Sequence, residues 1–121
     1  MIKLNKDDIL LFAGDSITHG GRLLSMDLNH IMGHGYQEII SAKLAAENIE
    51  NMPRFVNKGV SGDRISHIYA RWADILKQKP TIISLLAGIN DTGAFPVLKP
   101  ETIAKKYIYV LKGLLNDTFE Y

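Results

Sequence analysis

Thr81-Ile82-Ile83-Ser84-Leu85-Leu86-Ala87-Gly88 decides the fold. In an extended strand, alternate side chains face opposite sides. Ile82, Ser84 and Leu86 therefore share one face, and Ile83, Leu85 and Ala87 share the other. Both faces are apolar, as in strands of parallel sheets that carry helices on both sides. Two runs upstream also read as strands. Ile9-Leu10-Leu11-Phe12 ends at Gly14, and Arg54-Phe55-Val56-Asn57, following the break at Pro53, ends near Gly59.

The intervening segments have helical periodicity. After an irregular stretch from Gly21 to Gly35, the spacing predicts a helix over Tyr36 to Asn48, with Tyr36, Ile39, Ile40 and Leu44 on its buried stripe. A second helix is predicted from Arg64 to Lys77, burying Ile65, Ile68, Trp72 and Ile75, capped by Ser61 or Asp63 and stopped before Pro80. A third runs from Glu101 to Leu115, entered through Pro100, with Ile103, Tyr107, Val110, Leu111 and Leu114 facing inward. Strands alternating with helices predict a single three-layer α/β/α domain over residues 1–121, built on a parallel sheet. With strand order second-first-third, the Thr81 strand lies at an open edge. Complete domains avoid such an apolar edge, because it invites pairing with another chain. The expectation is thus a partial domain, cut after its third strand and the following helix, with self-association through that edge as one consequence.

Composition narrows the function classes. The 121 residues are 46% apolar and 22% charged, with net charge +1 and the two signs interleaved. No basic run suggests nucleic acid or an anionic membrane as partner. Cys is absent, which excludes disulfides and thiolate metal sites. Met1 to Asp8 does not read as a signal peptide, and Thr81 to Ile89 is too short for a membrane span. A cytoplasmic protein is expected, and the Asn-Asp-Thr sequons at Asn90 and Asn116 are read as incidental.

Each strand is followed at once by a small polar cluster: Gly14-Asp15-Ser16, then Asn57-Lys58-Gly59-Val60-Ser61-Gly62-Asp63, then Gly88-Ile89-Asn90-Asp91. In a parallel sheet the strand C-termini share one edge, where open α/β folds bind ligands. Residues more than 70 positions apart are thereby expected at one site. Ser16 at a strand-to-helix turn suits an exposed nucleophile whose own N–H faces a developing oxyanion. Gly62 offers an unobstructed N–H, and the Asn90 carboxamide offers another donor.

These three runs resemble the conserved blocks of the GDSL, or SGNH, serine hydrolases. Phe12-Ala13-Gly14-Asp15-Ser16-Ile17-Thr18 is similar to the first block, Asn57-x-Gly59-x-Ser61-Gly62-Asp63 to the second, and Gly88-x-Asn90-Asp91 to the third. The resemblance implies a flavodoxin-like fold and cofactor-free hydrolysis of small acyl esters. It also implies Ser16 as nucleophile, with Gly62 and Asn90 beside the Ser16 N–H as oxyanion donors. Asp15, His19, Asp63 and Asp91 are expected around the binding site. Gly33-His34-Gly35-Tyr36 and Arg71-Trp72 look closest to bacterial members acting on acylated carbohydrates or other small esters.

One departure bears on activity. The family carries a fourth block, Asp-x-x-His, after two further strands. Here that pattern occurs only as Asp27-Leu28-Asn29-His30, between the first strand and the first long helix, which is the wrong place in the order. It reads as an insertion loop, although His30 or His34 could stand in as base. The 121 residues alone are expected to be inactive or nearly so, and the alternative is a binding module that keeps the pocket without the chemistry. Blander roles compete at single residues. Ser16 could be only a helix cap, Asp15 a backbone-bonding turn residue and Asp91 part of an Asx turn. His67, opposite the apolar stripe, reads as a surface residue. His and carboxylates show no metal-ligand spacing.

Overall fold

The computed structural model describes residues 3–24, 28–94 and 97–119. Three parallel strands, β1 (Ile9–Gly14), β2 (Arg54–Gly59) and β3 (Ile82–Leu86), form one sheet in the order β2-β1-β3. This is the start of the flavodoxin-like order. Central β1 is buried from Leu10 to Gly14 and directs its alternating side chains into two cores. Leu11 and Ala13 pack with Ile65, Ile68, Trp72, Ile75 and Leu114 on one face. Leu10 and Phe12 pack with Met32, Tyr36, Leu44 and Phe55 on the other, where the Phe12 and Tyr36 rings meet edge to face at 5.8 Å. Helices thus cover both sides of the sheet, giving the three-layer α/β/α architecture.

Seven helices accompany the strands among the described residues: α1 (Ser16–His19), α2 (Leu28–Met32), α3 (Tyr36–Glu47), α4 (Ile65–Ala70), α5 (Trp72–Leu76), α6 (Ile89–Ala94) and α7 (Pro100–Phe119). A 3₁₀ turn at Ile49–Asn51 leads into β2. The stripe expected on α7 faces inward, with Leu114 fully buried. On α3 the expectation fails in part. Ile39 is 70% and Ile40 39% exposed, whereas Gln37 and Ser41 are buried. The reason is polar: Gln37 Nε2 donates to the Met32 carbonyl at 2.9 Å, and Ser41 Oγ to the Gln37 carbonyl at 2.6 Å. The Gln37 bond holds that face of the helix against the preceding loop, while the Ser41 hydroxyl is satisfied within the helix itself.

The single helix expected from Arg64 to Lys77 is two, broken at Arg71, whose backbone sits at φ −108°, ψ 14°. Its four apolar positions are nonetheless all buried. Neither Ser61 nor Asp63 caps it. The Asp91 carboxylate, 26 residues away, accepts the Ile65 N–H at 3.1 Å. Trp72 Nε1 donates to Thr118 Oγ1 at 2.8 Å, fixing α5 to α7. No helix among the described residues is long and apolar enough to cross a membrane.

Candidate active site

At the C-terminal end of the sheet Gly14 stands in register with Gly59 on one side and Leu86 on the other. A Cβ on Gly14 would strike the Thr18 side chain and the Leu86 carbonyl, so only glycine lets the strand end pass this close to β3. Asp15 follows, 1% exposed, and caps α1 by accepting the Ile17 N–H on Oδ1 at 2.9 Å. The cap is therefore Asp15 and not Ser16. Ser16 becomes the first helical residue and is exposed.

The second cluster folds back over this point. The Val60 N–H donates to the Gly14 carbonyl at 3.0 Å. Gly62 has φ +86°, in the region that favours glycine, with open space where a Cβ would point. Asp63, next in line, is buried, and its carboxylate accepts Arg71 Nε at 2.9 Å. The same guanidinium donates through Nη2 to the Gly14 carbonyl at 3.3 Å. The third cluster joins through Asn90, whose Nδ2 donates to the Asp63 carbonyl at 2.9 Å. Bonds thus run from the first cluster to the second and from the second to the third. The loops carrying Ser16, Gly62 and Asn90 meet at one rim.

Among the remaining expected residues, Asp63 and Asp91 have inward roles. The Asp63 and Asp91 carboxylates are committed to Arg71 and to the Ile65 N–H, so they shape the rim and do not project from it. That bond to α4 also replaces the Asx turn expected at Asp91. His19 Nδ1 accepts the Gly21 N–H at 3.1 Å, which ties its ring to the loop after α1. His34 Nδ1 lies 3.7 Å from Glu38 Oε2 with its side chain 72% exposed, and His30 lies in α2. Asp27, the other half of the early Asp-x-x-His pattern, lies outside the described residues. His67 is at the surface and accepts the Arg64 N–H on Nδ1 at 3.1 Å. Among the described residues no three His, Asp or Glu side chains cluster as metal ligands.

Three residues without an expected role of this kind hold the rim together. Asn57, 4% exposed, donates from Nδ2 to the carbonyls of Thr18 and Met32, both at 2.8 Å, and accepts the Gly59 N–H at 2.8 Å. Arg22 Nη2 donates to the Gly59 carbonyl at 2.9 Å. Burial, and then the neighbouring Arg71 charge, hold its guanidinium below the usual arginine value. Arg71 is the third. The sequence signal for all three is faint, because each bonds a backbone carbonyl, and Arg71 also the Asp63 carboxylate, on another element. Tyr107 donates to the Ala87 carbonyl at 3.2 Å, and burial followed by the Asp91 charge pushes its phenol up. A cavity of about 410 Å³ opens between α4 and α7, lined by Ile65, Ser66, Ile103, Tyr107 and Val110, and among the cluster residues it touches only Asp91.

A parallel sheet in flavodoxin-like order thus carries an exposed serine at the head of a short helix, with a left-handed glycine and a carboxamide on the loops after the two flanking strands. The GDSL-like lipase/acylhydrolase family model matches residues 12–117, and the chain belongs to that family. It is 34% identical over 124 residues to an acetylxylan esterase from Geobacillus stearothermophilus, covering 97% of this chain and 57% of that protein. A solved structure of that acetylxylan esterase superposes with TM-score 0.83 at 34% identity, with the same coverage of 97% and 57%. A GDSL-like lipase from Parabacteroides merdae superposes with TM-score 0.80 at 31% identity, covering 98% of this chain and 56% of that one. The chain therefore spans a little over half the length of these relatives. Three of the matching structures are catalytic mutants of the Geobacillus enzyme, with a serine, an aspartate and a histidine each replaced by alanine.

Proposed function

We propose that these residues form the nucleophile and oxyanion-binding part of a serine esterase acting on small acyl esters, with acetylated carbohydrates the favoured class. The reading rests on the joining of the three clusters at one rim. The likeness to an acetylxylan esterase supports the substrate class. Ser16 Oγ attacks the ester carbonyl, forming a carbon–oxygen bond while the carbonyl electron pair moves onto its oxygen. The N–H groups of Ser16 and Gly62 donate to that oxygen, joined by the second Nδ2 hydrogen of Asn90, the first being held by Asp63. Such donors contribute roughly 10²–10³ in rate apiece. Collapse expels the alcohol and leaves an acyl-serine, which water then cleaves to the acid.

A histidine must take the Ser16 proton and return it to the leaving alcohol, oriented by an aspartate. No histidine follows His67 in these 121 residues. The chain by itself is therefore expected to show at most a residual rate, on the order of 10³–10⁴ over water when the donors act without the full triad. A cytoplasmic setting suits a chain with no cysteine.

Phenylboronic acid provides the test, because boron bonded to a serine oxygen mimics the tetrahedral intermediate, and the serine proton released as it forms passes to buffer, more readily at alkaline pH. ¹¹B NMR of the chain should show a saturable tetrahedral signal that disappears in Ser16→Ala. A signal indifferent to Ser16→Ala, or none at all, overturns the proposal. Saturable binding of an acetylated oligosaccharide with no boron adduct would favour a binding module.

A further inference from the structure

We propose that Arg71 is a positioning residue for this reaction, holding the Gly62 loop at the distance from Ser16 that the oxyanion requires. The inference rests on the esterase reading above. Its starting point is the break between α4 and α5. Ile65, Ile68, Trp72 and Ile75 keep helical spacing through the break and are all buried, so packing alone gives no reason for it. What the break does is place Arg71. An arginine beside such a stripe ordinarily extends into water. Here its side chain is only 24% exposed and turns back toward the strand ends.

Both of its contacts border the proposed machinery. Nε donates at 2.9 Å to Asp63, the residue after Gly62, and Nη2 donates at 3.3 Å to the carbonyl of Gly14, two residues before Ser16. A guanidinium is a planar, rigid fork, so one group bonded at both ends sets the separation of the two loops. The Gly62 turn needs such bracing from outside, since nothing within 4 Å faces the position of its absent Cβ. Asp63 is the point where it is braced. Its N–H donates to the Val60 carbonyl at 3.2 Å, its carbonyl accepts Asn90, and its carboxylate accepts Arg71. His67 comes only within 4.0 Å of that carboxylate, beyond hydrogen-bond reach, so it cannot replace the arginine. Arg22, through its bond to the Gly59 carbonyl, holds the end of β2.

The test reads phenylboronate affinity beside thermal stability in the 121-residue chain. Arg71→Lys keeps the charge but loses the fork, and Asp63→Asn keeps the shape but loses the charge. Thr118→Val, which breaks the Trp72 bond on the neighbouring helix, is the control for stability alone. Arg71→Lys and Asp63→Asn should each weaken the Ser16 boron adduct on the order of tenfold or more, as misplacement of a reacting group by about 1 Å does. Thr118→Val should lower the melting temperature without changing the adduct. Unchanged affinity in whichever of the two rim variants folds overturns this inference alone. A wild-type chain that forms no Ser16 adduct overturns the esterase reading and this inference with it.

Discussion

At the N-terminal end of the sheet, the Asp8 carboxylate accepts the Asn5 N–H at 2.7 Å and the Thr81 hydroxyl at 2.8 Å, and Thr81 Oγ1 accepts the Ile9 N–H at 3.0 Å. At the C-terminal end, Asp15, Asn57, Asp63 and Asp91 make bonds of the same chemical kind. The first set is open to solvent, whereas the second is at most 9% exposed. Water can replace a broken partner at the first end and cannot at the second, so equal bonds have unequal weight. The asymmetry follows from topology. Parallel strands all finish at one end, where α1, α4 and α6 begin, and that end collects the unpaired backbone groups. Side chains that satisfy them become buried, and the exposed gap left among them is where Ser16 stands.

Breaking the buried end should have the largest effect. Asn57→Leu removes the acceptor of the Gly59 N–H and the donor to two carbonyls, and should lower stability by about 3–5 kcal/mol in urea unfolding. A loss below about 1 kcal/mol would mean that water reaches these groups and that the two ends are alike. Next comes Gly14→Ala, which forces β1 away from the Leu86 carbonyl and should cost about 3 kcal/mol in the same measurement. Gly62→Ala should cost only about 1–2 kcal/mol, since backbone conformation is its whole penalty. Its boronate affinity should nevertheless fall further than that of Gly14 variants matched for stability, because the donor loop itself is displaced.

The smallest change is expected at the exposed end. Bonds from the Asn5 N–H, and then from the Thr81 hydroxyl, hold the Asp8 carboxyl below the usual carboxylate value. A lowered folded-state value means that the stabilisation is present above the ordinary value and is lost as pH falls through the lowered one. Asp8→Asn should therefore melt slightly below wild type at neutral pH, with the gap closing in acid below the carboxylate range. A gap that persists in acid would show that shape, and not charge, ties Asp8 to Thr81.

Much of the fold was legible where the apolar pattern had a single period. Both faces of β3 read as a parallel strand, and the stripes of α4, α5 and α7 could be placed from spacing alone. Ile39 and Ile40 misled because hydrophobicity was the only guide there, whereas Gln37 had a buried carbonyl to satisfy. The clusters bearing Ser16, Gly62 and Asn90 could be picked out because each follows a strand directly. Asp63 and Asp91 had the right address and a different task, since their partners come from other elements.

Order and chemistry were written in the chain: strand periodicity set the parallel sheet, and the small polar residues after each strand named the candidates for catalysis. The tertiary structure decided which of those candidates face solvent and which brace the rim. It also drew in Arg22, Asn57 and Arg71. A buried polar side chain takes whichever partner lies within about 3 Å in space, and no spacing along the chain records that.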